Sequence, residues 1–221
     1  MIEYFMGTEF VRQLIIETAT EALSVALFDQ GVLVGHHHEI AGRGHAERLI
    51  PLIAALDRGG RADEILVDGG PGSFTGIRVG IAAARALAFA WGARLRFYSS
   101  LALVAAMARN QDAPSEEPLM VTITGGHGEL FWQKFDARSL APLSPPTSTP
   151  IDELARQTDA SVLYGTGAQA LVDARGYGEA VLVHPDARRA ASLSEACLRT
   201  DGAPLYGRGA DAQPSVGMGR P

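Results

Sequence analysis

Residues 68–80 read Asp-Gly-Gly-Pro-Gly-Ser-Phe-Thr-Gly-Ile-Arg-Val-Gly, and no other run constrains the fold as much. It follows a short apolar stretch, Ile65-Leu66-Val67, and opens a long one, Ile77 to Trp91. Strand, glycine loop, helix is the order in which backbone N–H groups gather at a helix N-terminus. The same order lets two stretches of backbone pack very closely, because glycine has no Cβ. The residues leave both uses open: a phosphate loop built from Gly70, Gly72, Ser73, Thr75 and Gly76, or a tight turn with close packing, which they favour. A Walker A loop would need Gly-Lys followed by Ser or Thr, and here Gly76 is followed by Ile77. The spacing of Gly70, Gly72 and Gly76 also departs from the dinucleotide fingerprint.

On either side of this loop the chain alternates between two periodicities. Gln13–Glu17, Leu23–Phe28 and Val32–Glu39 read as strands, and His45–Arg58 as a helix that starts near Pro51 or kinks there. Ile65–Asp68 is a strand, Thr75–Trp91 a helix, Leu95–Tyr98 a strand, and Ser99–Arg109 a helix capped by its serine. Asp112–Pro118 is polar and carries two prolines, the mark of a boundary. Beyond it the opening pattern recurs as Met120–Thr124, a Gly125–Gly128 turn and Glu129–Asp136. Pro142–Pro150 reads as a connection, Ile151–Gln157 as a helix, Val162–Tyr164 and Val181–Val183 as strands, and Ser192–Arg199 as a helix. The expected organisation is one lobe over residues 12–110 and a second over 111–206, with loose termini at 1–11 and 207–221. Lobes that begin with antiparallel strands and continue with alternating helices and strands indicate a two-lobed α/β fold with mixed sheets. Actin-like ATPases and sugar kinases share that pattern.

Composition narrows the function classes. Of 221 residues, 47% are hydrophobic, enough for a sizeable core, and the net charge of −6 argues against a basic nucleic-acid groove. Any role near RNA would pass through a partner. Cys197 is the only cysteine, which excludes an intrachain disulfide and fits a cytoplasmic protein. No run of about 18 apolar residues lacks charge, so no membrane span is expected. Residues 1–11 lack the pattern of a signal peptide. His36, His37 and His38 invite a metal reading, but in a strand only His36 and His38 share a face, and two histidines make a poor site. His45 reads as a polar residue of a first helical turn. His127 and His184 have no neighbouring nucleophile, and nothing pairs Ser73 with a base. No catalytic residue and no metal site are assigned.

The helix after the loop is more telling. Gly76, Gly80, Ala84 and Ala88 recur every four residues and form one smooth stripe, while Ile77, Ile81, Ala82, Leu87 and Phe89 make most of the remaining surface apolar. Such a helix needs burial on more than one side. The helix from His45 is a candidate neighbour, and the pair can leave an apolar patch for association.

Gly70-Pro71-Gly72-Ser73-Phe74-Thr75-Gly76-Ile77-Arg78 resembles the signature of the bacterial TsaB family, also called YeaZ. Leu14–Asp29, His45-Ala46-Glu47-Arg48-Leu49-Ile50-Pro51, Tyr98-Ser99-Ser100-Leu101 and Pro204-Leu205-Tyr206 with Arg208 resemble further family segments in order and spacing. The likeness is dense over 12–110 and thin over 111–221. It implies an actin-like (ASKHA, ribonuclease H-like) fold. It also implies a non-catalytic partner of TsaD, a homologous catalytic protein, and of the ATPase TsaE, in threonylcarbamoylation of adenosine in tRNAs that read codons beginning with A. By that resemblance His45, Leu49, Gly76, Ile77, Gly80, Ile81, Ala84 and Arg85 would form the partner interface, shared with a weak homodimer. tRNA would be touched only through the complex. The chain would hold no cofactor of its own, with ATP or ADP at most at the partner interface. Glu17-Thr18-Ala19 stands where the family opens with Asp-Thr-Ser, a departure that argues against a nucleotide site. The competing class is a stand-alone enzyme of the same fold, a small-molecule kinase or a metal-dependent peptidase.

The isolated chain is therefore expected to turn over no ATP and to cleave no peptide. A steady ATP hydrolysis that disappears in Glu17→Ala would overturn this.

Overall fold

The computed structural model describes residues 12–109, 117–191 and 193–205. The expected loose segments 1–11 and 207–221, Tyr206 and Arg208, and most of the polar stretch 112–118 lie outside them.

The first sheet is built from β1 (Gln13–Glu17), β2 (Ala22–Asp29), β3 (Val32–Ile40), β4 (Glu64–Asp68) and β5 (Arg94–Tyr98), in the order β3-β2-β1-β4-β5. β1 to β3 form an antiparallel meander, and β4 and β5 join it in parallel. The central strands are apolar on both faces, so both faces must be covered. Leu14 and Ile16 enter a cluster with Ile77, Ile81 and Ala84 on one side, while Ile15 between them points into a core with Leu101, Val104 and Val121 on the other. α1 (His45–Ala54) and α2 (Phe74–Trp91) cover the first face side by side. α2 is long and apolar enough by length and composition to cross a membrane, yet its buried positions Gly76, Ile77, Gly80, Ile81, Ala84 and Ala88 pack inside this lobe.

The second sheet contains β6 (Leu119–Thr124), β7 (Glu129–Phe135), β8 (Thr147–Pro150), β9 (Val162–Tyr164) and β10 (Glu179–Val181), in the order β10-β9-β6-β7-β8. Read from the other edge, this is the third, second, first, fourth and fifth strand of the lobe, the order of the first sheet. The recurrence seen in the sequence is a duplicated topology. α4 (Ile151–Gln157) and α5 (Ala168–Arg175) take the places of α1 and α2. The helix after each fifth strand crosses to the other lobe. α3 (Ser100–Arg109) packs on β6 and β7, and α6 (Ala187–Ala190) packs on β1, β2 and β3, the two meeting between the sheets. Two lobes of this topology, joined by exchanged helices over one shared core, form the actin-like fold.

The structure corrects several expected elements. The first helix ends at Ala54, and a 3₁₀ turn at Asp57–Gly60 follows; Pro51 sits within the helix rather than at its start. Ser99 caps nothing: its hydroxyl is buried without a partner. The connection 142–150 contains β8, and α5 arose in a stretch assigned no element. The strand placed at 181–183 runs from 179 to 181, and the helix placed at 192–199 is a 3₁₀ turn at Glu195–Cys197 preceded by α6. These are short elements, fixed by packing more than by periodicity.

The last described residues return to the first lobe. Arg199 forms a bridge with Phe97 beside β5, and Leu205 N–H donates to Gly69 O at 2.7 Å. α6 is tied in by Ala187 N–H donating to the buried Ser24 hydroxyl at 3.1 Å, which itself donates to His37 O. Ser24→Ala leaves that amide without an acceptor in the core between the lobes. The expected loss is about 1–3 kcal/mol in a urea melt, and a change within about 0.5 kcal/mol would show that α6 does not depend on this bond.

Candidate functional site

The glycine loop runs from the end of β4 to the start of α2 and is folded against the β1–β2 turn. A Cβ at Gly72 would overlap the carbonyl oxygen of Ala19, one at Gly76 that of Thr18, and one at Gly80 the Thr18 hydroxyl. At Gly70 it would meet the carbonyl of Leu205, and φ there is 93°, a value glycine accepts without strain. Hydrogen bonds fix the same contact. Ser73 N–H donates to Ala19 O at 2.6 Å, and Thr18 Oγ1 donates to Gly76 O at 2.8 Å. Ser73 caps α2 by accepting from Gly76 N–H at 3.2 Å. With Gly69 N–H on Tyr98 O and Gly70 N–H on Asp68 Oδ1, four of the loop's amides are spent inside the chain.

Beneath the loop lie two fully buried carboxyl groups. Glu17 ends β1 and Asp68 ends β4. Glu17 Oε1 accepts from Ala19 N–H at 3.0 Å and Oε2 from the Tyr98 hydroxyl at 3.2 Å, a hydroxyl that also reaches Ile16 O. Asp68 Oδ1 accepts from Gly70 N–H and from the Ser100 hydroxyl at 2.8 Å. Burial, then the neighbouring Asp68 charge, push the Glu17 carboxyl well above the usual range. Burial pushes Asp68 up to about 6 against hydrogen bonds that pull it down. The pair is sealed from solvent, so Glu17 offers no oxygen to a ligand in the cleft above it.

That cleft, of about 1560 Å³, separates the lobes. Thr20, Arg43, Ser73 and Phe74 line one wall, Thr124 and His127 the other. Its charges are mixed, with Arg43 and Arg78 opposed by Glu21 and Glu47. Among the described residues no three His, Cys, Asp or Glu side chains group to hold a metal. His36 lies by Arg188, and His37 by Glu39.

The residues expected to meet a partner divide into two groups. His45, Leu49, Gly76, Ile77, Gly80, Ile81 and Ala84 are buried inside this chain. His45 is the first residue of α1, as read from the sequence, and is buried there with its Nε2 set 3.2 Å from Ala22 O. At Gly76 and Gly80 the small-residue stripe meets Thr18 of this chain, not a second helix. Arg85 is exposed but donates to Gly202 O at 3.0 Å. Ser73 and Thr75 lie exposed at the start of α2. The outward face of α2 is instead made by Phe74, Arg78, Ala82, Ala86, Phe89 and Ala90, with Arg78 stacked on Phe74 at 3.5 Å. Phe89 is 92% exposed, and Ile50 on the adjacent α1 is 47% exposed. In the sequence Phe89 stands only as part of an apolar surface; the signal that it faces outward is its place off the stripe of Gly76, Gly80, Ala84 and Ala88. Asp68, Tyr98 and Ser100 were missed as a cluster because they come from three separate elements.

The family model described as TsaD, tRNA N6-adenosine threonylcarbamoyltransferase, matches residues 30–195. The chain is 33% identical over 130 residues to the tRNA threonylcarbamoyladenosine biosynthesis protein TsaB of Escherichia coli, a match covering 57% of this chain and 55% of that protein. It is 35% identical over 99 residues to a tRNA N6-adenosine threonylcarbamoyltransferase of Erythrobacter litoralis, covering 42% of this chain and 29% of that one. The matches thus span about half or less of these relatives' own lengths. Among solved structures, YeaZ from Pseudomonas aeruginosa superposes with a TM-score of 0.70 at 29% identity, covering 82% of this chain and 89% of that one.

Two substitutions on α2 separate its faces. Gly80→Leu must displace Thr18 and Val67, and is expected to cost more than about 3 kcal/mol or to prevent folding. Ala82→Leu, on the exposed face, should shift stability by under about 0.5 kcal/mol. Thermal melting of both checks the assignment; equal melting of the two would refute it.

Proposed function

The chain belongs to the tRNA N6-adenosine threonylcarbamoyltransferase family, with the TsaB proteins, and from this we propose that it is a non-catalytic subunit in tRNA threonylcarbamoylation, binding a TsaD-type enzyme through the outer face of α1 and α2. The observation that carries the reading is Phe89. A phenylalanine 92% exposed, on a helix whose other exposed residues include Ala82, Ala86 and Ala90, is the anchor of an apolar association face. Small neighbours let a facing helix come close while the aromatic ring fills its groove.

The rest of the reading follows from the same face and from the sealed loop. A partner meets the exposed residues around the buried stripe, with Arg85 at the margin. In the partner's absence two copies of the same face associate weakly, since a two-fold pair closes on itself. A TsaE-type ATPase joins the complex, and tRNA reaches this subunit only through it, in keeping with the net charge of −6. The compartment is the cytoplasm. The chain holds no cofactor of its own: four loop amides and both Glu17 oxygens are already bonded within it. Any ATP or ADP of the assembly lies at the interface with the partner.

The test is binding of Phe89→Glu and Ile50→Glu to the purified TsaD-type enzyme of the same source. Both substitutions sit on the surface and are expected to keep the melting temperature of the parent. Each is expected to weaken the complex by at least about tenfold, the effect of about 1.4 kcal/mol. Unchanged binding by both would place the contact elsewhere and remove the basis of the proposal.

A further inference from the structure

β1 and β4 pair in parallel with Ile16 opposite Val67, so the residues that follow, Glu17 and Asp68, come side by side at the strand ends. Of their four carboxyl oxygens, three receive hydrogen bonds from Ala19, Tyr98, Gly70 and Ser100. The fourth, Asp68 Oδ2, is buried without a donor from any other residue. The groups facing the pair are Tyr98 from β5, Ser100 from α3, and the amides of Ala19 and Gly70; Asp186, before α6, acts on Tyr98 from behind. None of these is positively charged. Two adjacent carboxylates sealed in such a place cannot both ionise at modest cost.

The geometry points to a proton held on Glu17 and donated to Asp68 Oδ2, a shared-proton latch that joins the ends of β1 and β4 and keeps the glycine loop closed on the Thr18–Thr20 turn. The two amides bound to the pair belong to that loop and that turn, so a second negative charge acts on both. The latch does not depend on the proposed partner or reaction.

Its signature is a pH dependence of known sign. The unfolded carboxyls ionise near their ordinary values of about 4, whereas in the fold Asp68 is pushed up to about 6 and Glu17 well above its ordinary value. The native state therefore binds more protons, and the contribution to stability is complete below about pH 4 and lost as pH rises through the folded values. Above the Asp68 value of about 6 the fold keeps the one shared proton that the unfolded chain has lost, until the raised Glu17 carboxyl itself ionises. Relative to Glu17→Gln, whose amide donates to Asp68 at every pH, the unfolding constant of the parent should rise with pH above about 6, by up to about tenfold per pH unit. Infrared spectroscopy of the parent at neutral pH should show a protonated, unhydrated carboxyl band that Glu17→Gln lacks. If Glu17→Gln does not fold, the band in the parent decides by itself. Absence of the band, or parallel pH profiles for parent and variant, overturns the latch.

Discussion

The close approach of α2 to the β1–β2 turn governs what the rest of the first lobe can be. Gly72, Gly76 and Gly80 bring a helix backbone against the carbonyls of Thr18 and Ala19, a distance no side chain at those positions would allow. With the helix seated there, its rows of Ile77, Ile81 and Ala84 complete the core over β1 and β4. Four of the loop amides turn inward to donate their bonds within the chain, and the carboxyl pair below is closed off from the cleft. Because one face of α2 is committed to the lobe, the opposite face, with Phe89, is committed to the outside.

The duplicated sheet order goes with a core shared by the two lobes. Each lobe donates its final helix to the other, and α3 and α6 meet in the core between the sheets. A large continuous cluster then runs from Ile15, Ala26 and Leu66 of the first sheet to Val121, Phe131 and Phe135 of the second. Burial of this kind resembles a domain core rather than a mobile interface. The crossing also brings the chain back to β5 and the glycine loop through Arg199 and Leu205, so the loop is held from both sides.

The cleft and the outer helix face represent two ways in which this fold can meet another molecule. In the cleft, mixed charges and amides already in use leave little that is aimed at an anion. On the outer face, the exposed apolar residues lie on two adjacent helices whose other sides are firmly packed. An apolar surface on a rigid support loses little conformational freedom on binding.

By itself the sequence determined the strand–loop–helix order, the second appearance of the opening pattern, and the family resemblance, because these rest on local periodicity and on a glycine string that stands together in the chain. It marked Gly76 and Gly80 as places of close approach but not what approaches them, since a missing Cβ looks the same whether a partner helix or the chain's own turn fills the space. The short elements β8, α5 and α6 were beyond it, because elements of 4 to 8 residues are held by packing and carry little periodic signal. Only the tertiary structure decided that Thr18 fills the stripe and that Phe89 faces outward. Only it brought Glu17, Asp68, Tyr98 and Ser100 together, since parallel pairing of β1, β4 and β5 aligns strand ends that lie up to 81 residues apart (Glu17 to Tyr98) in a chain whose local sequence carries no record of that pairing.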